Sequence, residues 1–465
     1  MARMLPANRH RFWPDHRTLR RWHFYAGLFC IPFILLLSGT GMIYLFKPQI
    51  DDIIDRRYEQ LAPPMRPASP AAEVRAALAA LPGAHLLAYE LPRSERSAAR
   101  VIVVRDGIAT RAYVAPASLE VLKTVPEEQR FERIIFNLHG QLLLGNRGSV
   151  VVELAASWAI VMILTGLCLW WPRSGSGGAA GLLYPRLGSG RRTFWRDLHA
   201  VTGVWVSAFA LLLLMSGLPW AYAWGNYLAA VRAIASPAAV TQDWQVGHVP
   251  AKVEIAGGPA PDTMEGMAGM ATVSPKPDRG YPLDAIDKVA AILRPLDLAY
   301  PVLLTPPKAG SLDWTARSDA QNRTLRTTLI VSPEGRIKSR VDFGKHKLLD
   351  RVIGIGVSAH EGHLFGWINM VLSAFTALSL AMVSISAIVL WLRRRPSGTL
   401  GAPPHAATRP VAAGFLCLLL ILAVAFPLLG TSMMIVLVIE HLVLRRIPRV
   451  RDWLGLAPPD KIAAV

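Results

Sequence analysis

Five stretches of this chain are apolar for long enough to cross a lipid bilayer, and that property restricts the fold more than any other. They run from Phe24 to Phe46, Val150 to Trp171, Val201 to Trp224, Ile368 to Leu392 and Val411 to Leu444. A hydrocarbon core of ~30 Å takes about 20 helical residues. Inside it every backbone N–H and C=O must be satisfied within the protein, which favours helices for such runs. The last run is interrupted by "FPLLG", Phe426 to Gly430. Proline and glycine there predict two short helices in a hairpin, with one long kinked helix as the alternative. The composition agrees: 52% hydrophobic and only 18% charged over 465 residues is too apolar for an ordinary soluble protein.

Arginines set the orientation. They crowd the N-terminal segment (Arg17, Arg20, Arg21), the loop after the second run (Arg186, Arg191, Arg192, Arg196), the loop after the fourth (Arg393, Arg394, Arg395) and the tail (Arg445, Arg446, Arg449, Arg451). The positive-inside rule puts all four in the cytoplasm. Much of the net charge of +18 is then a topology signal, and no nucleic-acid partner is expected. The first run exceeds the apolar region of a cleavable signal, so it is kept as a span. The expected order is a cytoplasmic N-terminus (1–23), a span (24–46), a periplasmic module (47–138), a span (139–171), a cytoplasmic loop (172–200) and a span (201–225). A second periplasmic region (226–358), a span (359–392), a cytoplasmic loop (393–410), a spanning hairpin (411–446) and a cytoplasmic tail (447–465) follow. All three cysteines, Cys30, Cys168 and Cys417, lie in apolar runs, so neither a disulfide framework nor a zinc cluster is expected in the soluble parts.

The chain also repeats itself. "NLHGQLLLG" (Asn137 to Gly145) and "SAHEGHLFG" (Ser358 to Gly366) each write a histidine and, six residues on, a glycine. From His139 to Trp170 of "LWWPR" is 31 residues, and from His360 to Trp391 of "LWLRR" is again 31. "RRWHFYAG" supplies His23 and Gly27, "WRDLHAVTG" supplies His199 and Gly203, and Ser38-Gly39 and Ser216-Gly217 follow in the same helices. Each half is therefore helix, outer domain, helix, which predicts a pseudo-two-fold four-helix core with sites at the repeat interface. The outer stretches share a recipe too. "PAAEVRAALAAL" and "PLDAIDKVAAILRPL" have helical spacing, while Ala98 to Val125 and Thr324 to Phe343 read as strands broken by turn residues. Both are expected to be small α+β modules.

A helix and a β-hairpin with "YVAPASLEV" or "LIVSPEGRI", set between helices carrying "LHGQLLLG" and "LWWPR", resembles the PepSY-associated transmembrane-helix family over nearly the whole chain. The resemblance implies a bacterial inner-membrane protein, mainly α, with periplasmic PepSY-like modules and a link to iron uptake. Some members are haem-containing reductases of ferric siderophores. Others carry a fused flavin reductase domain, which these residues do not include, so the electron donor stays open between a quinone and a cytoplasmic reductase.

In that light the four repeat-equivalent histidines become candidate ligands: His23 and His199 toward the cytoplasm, His139 and His360 toward the periplasm. Imidazoles from two facing helices give the six-coordinate iron of a b-type haem, so the expectation is haem b, two per chain. No CxxCH attachment motif is present, so the haem would be held non-covalently. Arg20, Arg21 and Arg196 are expected beside the inner pair, where haem propionates would lie. Glycines near the ligands (Gly27, Gly203, Gly140, Gly145, Gly362, Gly366) leave room for a flat macrocycle. Taken alone, one interfacial histidine is an ordinary hydrogen-bonded residue; four in register are not, because polar groups at membrane depth are costly.

His363, where the first copy has Leu142, leaves the outer ligand open between His360 and His363. "HEGH" is one residue short of the zinc-protease HExxH and is not read as a peptidase motif. Met264, Met267 and Met270 have a Cu(I) reading, against which stands a plain periplasmic insert. The expected function is electron transfer across the membrane to a ferric siderophore or other iron chelate. Two rivals are a non-catalytic scaffold and a transporter, the latter short of intramembrane acids beyond Glu153 and Glu440.

Overall fold

A computed structural model describes residues 16–171, 179–235, 281–308, 310–403 and 413–456. Met264, Met267 and Met270 lie outside the described residues. In chain order the first half contains α1 (His16–Leu45), α2 (Lys47–Ile54), α3 (Arg56–Glu59), α4 (Pro70–Ala80), β1 (His85–Glu90), β2 (Ala99–Arg105), β3 (Ile108–Val114), β4 (Val121–Pro126), α5 (Phe131–Gln141) and α6 (Gly145–Trp170). Then come α7 (Arg191–Gly217), α8 (Tyr222–Ala235), α9 (Ala285–Leu293), β5 (Val302–Thr305), β6 (Trp314–Ser318), β7 (Thr327–Val331), β8 (Ile337–Asp342), α10 (Leu348–His360) and α11 (Trp367–Arg394). Helices α12 (Ala413–Ala425), α13 (Pro427–Ile439) and α14 (Pro448–Leu454) end the chain. Two units emerge: Met1–Gly41, Arg147–Trp224 and Ala374–Val465 form one, and Met42–Asn146 with Gly225–Ser373 the other.

The first unit is helical. Five segments of the described chain are long and apolar enough to span a membrane: His16–Leu45, Gly145–Trp170, Arg191–Trp220, Trp367–Arg394 and Pro427–Leu444. The proline at 427 divides the last apolar run, as its chemistry predicts, and α12 packs against α13. A Cβ at Gly430 would lie 2.4 Å from the Ala423 carbonyl oxygen, so only glycine lets the two arms close this tightly. Glu153 of α6, an acid within a candidate span, accepts from the backbone N–H of Ala223 (2.9 Å) and Trp224 (3.1 Å), and Ser149 Oγ accepts from that of Tyr222 (3.0 Å). Side chains of α6 thus satisfy the free donors at the start of α8, a task worth about 1–2 kcal/mol. Trp170 and Trp391 each donate an indole N–H to a carbonyl of the following loop, Leu182 and Leu400, which ties those loops to the span ends.

The second unit is built on one antiparallel sheet in the order β4-β3-β2-β1-β5-β6-β7-β8. The two outer stretches were expected as two modules; they share a sheet because β1 and β5 pair, Tyr89 with Leu304 and Glu90 with Leu303. Pairing those strands removes the open edge that each four-stranded half would otherwise expose. Helices α4 and α9 cover one face, where Val74, Val101, Val103, Ile286, Val289, Leu304, Trp314 and Leu329 are buried. The alternation of the strands turns other residues to the opposite face, and several of these are charged.

There Arg111 bridges Glu90 and Glu127, and Arg100 reaches Glu90 (3.2 Å) and Asp55 (3.2 Å), all buried. Burial alone would raise the Glu90 pKa, but the guanidinium groups of Arg111 and Arg100 outweigh it and hold the carboxyl at about 2, against an ordinary 4.5. A carboxylate whose pKa is depressed by folding stabilises the fold above pH 4.5, and loses that contribution as pH falls toward 2. Scanning calorimetry in detergent should therefore show the transition of the sheet unit falling between about pH 5 and about pH 3, with a shallower slope in Glu90→Gln. A transition that ignores pH in that window would contradict the pairing.

Candidate functional site

Helices α1 and α7 bring His23 and His199 together, with ring centres 6.4 Å apart and planes at 83°. Both rings are held from behind through Nδ1. His23 Nδ1 lies 3.0 Å from the Met162 carbonyl oxygen and 3.1 Å from Thr165 Oγ1. His199 Nδ1 lies 3.0 Å from the Val383 carbonyl oxygen and 3.2 Å from Ser386 Oγ. A carbonyl oxygen can only accept, which assigns the proton to Nδ1 and leaves the lone pair of a neutral imidazole on Nε2. The Thr165 and Ser386 hydroxyls donate to the same carbonyls, at 2.9 and 2.7 Å. Met162 and Val383, and Thr165 and Ser386, are separated by the offset that separates His139 from His360. One turn beyond each histidine, a Cβ at Gly203 would meet nothing within 4 Å, and one at Gly27 only the Met162 sulfur at 3.7 Å.

Sequence reasoning missed Thr165 and Ser386. Both stand 26 residues after the histidine that opens their copy, inside the stretch that matches without gaps, so the repeat carried the signal. A hydroxyl in an apolar helix is easily passed over because it can bond its own backbone.

The second pair belongs to the sheet unit. His139, near the end of α5, and His360, the last residue of α10, have ring centres 6.3 Å apart and planes at 79°. Neither residue opens a span, contrary to the expected spans at 139 and 359. Helix α5 stops at Gln141, and Leu142, Leu143 and Gly145 take φ of +51°, +58° and +59° before α6 begins. Gly362 (φ +78°) and Gly366 (φ +62°) make the equivalent break before α11. Each histidine is thus set on a short helix of its own, and the glycine six residues later permits the left-handed turn into the span. At Gly362 even a methyl group would collide with Leu45 Cδ1, at 2.1 Å.

Of His360 and His363, His360 is the one whose ring stands edge-on to His139. His363 is half-buried and its Nε2 is shielded without a hydrogen-bond partner, with Lys47 and Glu361 as the charges acting on it. Glu361 is held by both terminal nitrogens of Arg323 (3.1 Å each), and the Arg323 N–H bonds Ser358 Oγ (2.9 Å), which fastens the end of α10.

The arginines expected at the inner pair divide. Arg21 is committed elsewhere, donating to the carbonyls of Pro403 (2.6 Å) and Gly455 (2.8 Å) and to Tyr25 Oη, so it pins the C-terminal tail. Arg196 joins Arg186 on the buried carboxylate of Asp197. Arg20 is exposed and lies near enough to Arg394 to act on its charge, as does Arg192.

The chain matches the PepSY-associated TM region over residues 20–394. It belongs to that family. The match takes in both halves of the repeat and all four paired histidines of this PepSY-associated protein, and ends ahead of the α12–α13 hairpin. No curated protein matches the chain.

Proposed function

We propose that this PepSY-associated protein is an inner-membrane electron carrier that holds two b-type haems and reduces a ferric siderophore or another iron chelate in the periplasm. The observation that carries the reading is the spacing of the histidine pairs. Two metal–imidazole bonds of ~2.0 Å, plus about 1.1 Å from each nitrogen to its ring centre, give roughly 6.2 Å for imidazoles facing each other across one metal ion. The pairs stand at 6.4 and 6.3 Å. Among the described residues no three His, Cys, Asp or Glu side chains gather around a point, so a bare ion would find only two protein ligands. A haem would supply the remaining donors, and Gly203, with nothing near it, and Gly27, with only the Met162 sulfur, would leave room beside the pair.

When bound, haem supplies a one-electron iron couple. The chain's own residues do the rest. Met162 and Val383 fix the Nδ1 tautomer and so leave each Nε2 with its lone pair, and Thr165 and Ser386 steady those carbonyls. His23 and His199 would serve the cytoplasmic end and His139 and His360 the periplasmic end, with the arginine-rich loops inside. The strand order, which reads alike from either edge of the sheet, and the matched anchors of the inner pair support a pseudo-two-fold arrangement of PepSY-like halves. One electron suffices for release, because oxygen-donor chelates hold Fe(III) far better than Fe(II). The donor would be a quinone or a cytoplasmic reductase. Of the two acids a transporter could offer its cargo, Glu153 caps α8 and Glu440 is paired with Arg445.

Vesicles that carry the protein and enclose ascorbate should release Fe(II) from an external ferric hydroxamate, read with a ferrous-specific dye. A rate no higher than that of protein-free vesicles would overturn the assignment.

A further inference from the structure

Inside the sheet unit, between the charged sheet face and helices α2 and α5, lies a cavity of about 210 Å3. It would hold roughly seven waters at ~30 Å3 each, enough for a small solute but too little for an entire hydroxamate siderophore. Its wall is densely charged, and nearly all of that charge is internally matched. Lys47 is paired with Asp51, Arg93 with Asp52, Arg100 and Arg111 with Glu90, Arg130 with Glu127 and Arg326 with Asp319, all at 3.3 Å or less. The remaining acids on the wall are held in turn, Glu132 by Arg130 and Glu361 by Arg323.

Arg133 is the exception. Among the described residues no carboxylate pairs with it, its Nε is shielded from solvent without a partner, and its guanidinium rests over the Phe136 ring at 5.6 Å. Gln321, on the same wall, has its Nε2 shielded and unpartnered as well. Both orphans are N–H donors. A shielded Nε on an unpaired cation and a shielded lone donor on one cavity wall are costly, and an acceptor with negative charge would relieve them.

We propose that this cavity binds a carboxylate through Arg133 and Gln321. The planar fork of arginine matches two carboxylate oxygens. Such a carboxylate has two possible sources. Arg133 and Phe136 precede His139 on α5, so the carboxylate arm of a group held by the outer histidines is one, and this source rests on the haem reading. A free carboxylate chelator, entering with its iron as substrate, is the other and does not.

Two titrations of the full-length protein, purified without haem in detergent, separate the sources. The first adds citrate and is followed by calorimetry; the second adds protohaem or its dimethyl ester and is followed by absorbance. Citrate binding that weakens about tenfold or more in Arg133→Gln supports the site with a free chelator as occupant. Protohaem binding at least about tenfold tighter than the ester, with the gap closed in Arg133→Gln, supports it with the haem arm as occupant. Absence of citrate binding together with equal binding of haem and ester overturns the proposal, as do wild-type values in Arg133→Gln for both. Protein that takes up no haem at all defeats the haem reading, while the citrate arm still decides this one. Arg133→Gln should melt no lower than wild type when empty, since it removes an unpaired charge; Gln321→Leu provides a second variant, with a smaller loss in the same titration.

Discussion

Purified His23→Ala protein is expected to carry about half the haem of the wild type, and His199→Ala the same half. Each imidazole would supply one of two protein bonds to the iron, and among the described residues no third His, Cys, Asp or Glu gathers with the pair at 6.4 Å to replace it. The double variant should lose no more than either single one, because both remove the same group. Haem quantified as its pyridine complex decides the matter; loss of all haem in each single variant would mean that the pairs do not bind independently. Thr165→Val and Ser386→Ala should keep haem but bind it roughly tenfold more weakly, since they loosen the carbonyls behind the ligands rather than the ligands themselves.

The second large effect distinguishes two histidines three residues apart. His360→Ala is expected to remove the outer haem, whereas His363→Leu should leave haem content untouched. His360 faces His139 at 6.3 Å, while His363 has its Nε2 enclosed and unpartnered, an arrangement that costs about 1–3 kcal/mol. Leucine is what the first copy carries at the matching position, Leu142, so His363→Leu should melt at the same temperature or higher. Loss of the outer haem in His363→Leu, with His360→Ala retaining it, would exchange the two assignments.

What the sequence disclosed followed from local rules. Span lengths come from apolar runs, the hairpin from Pro427, and the candidate ligands from a gapless repeat. The features it hid are non-local or run against residue preference. The β1–β5 pairing joins Tyr89 to Leu304 across more than half of one copy and the start of the next, and no pattern in either strand specifies its partner. The break before α6 falls on Leu142 and Leu143, and leucine is a poor marker of left-handed backbone, so the apolar run from His139 onward reads as one continuous span. Arg21 stands beside His23 in the sequence, yet its guanidinium is taken by carbonyls more than 380 residues away. Arg133 gave no sign at all in "FERIIF"; it becomes conspicuous only when every other cation around it is seen to be paired.

The most direct test of the account is the dithionite-reduced minus air-oxidised absorbance spectrum of the wild-type protein from haem-replete membranes, with haem and protein measured on the same sample. Two low-spin b-type haems per chain are expected, since both histidine pairs are spaced for two axial imidazoles. No haem absorbance, or a five-coordinate high-spin spectrum, would contradict it.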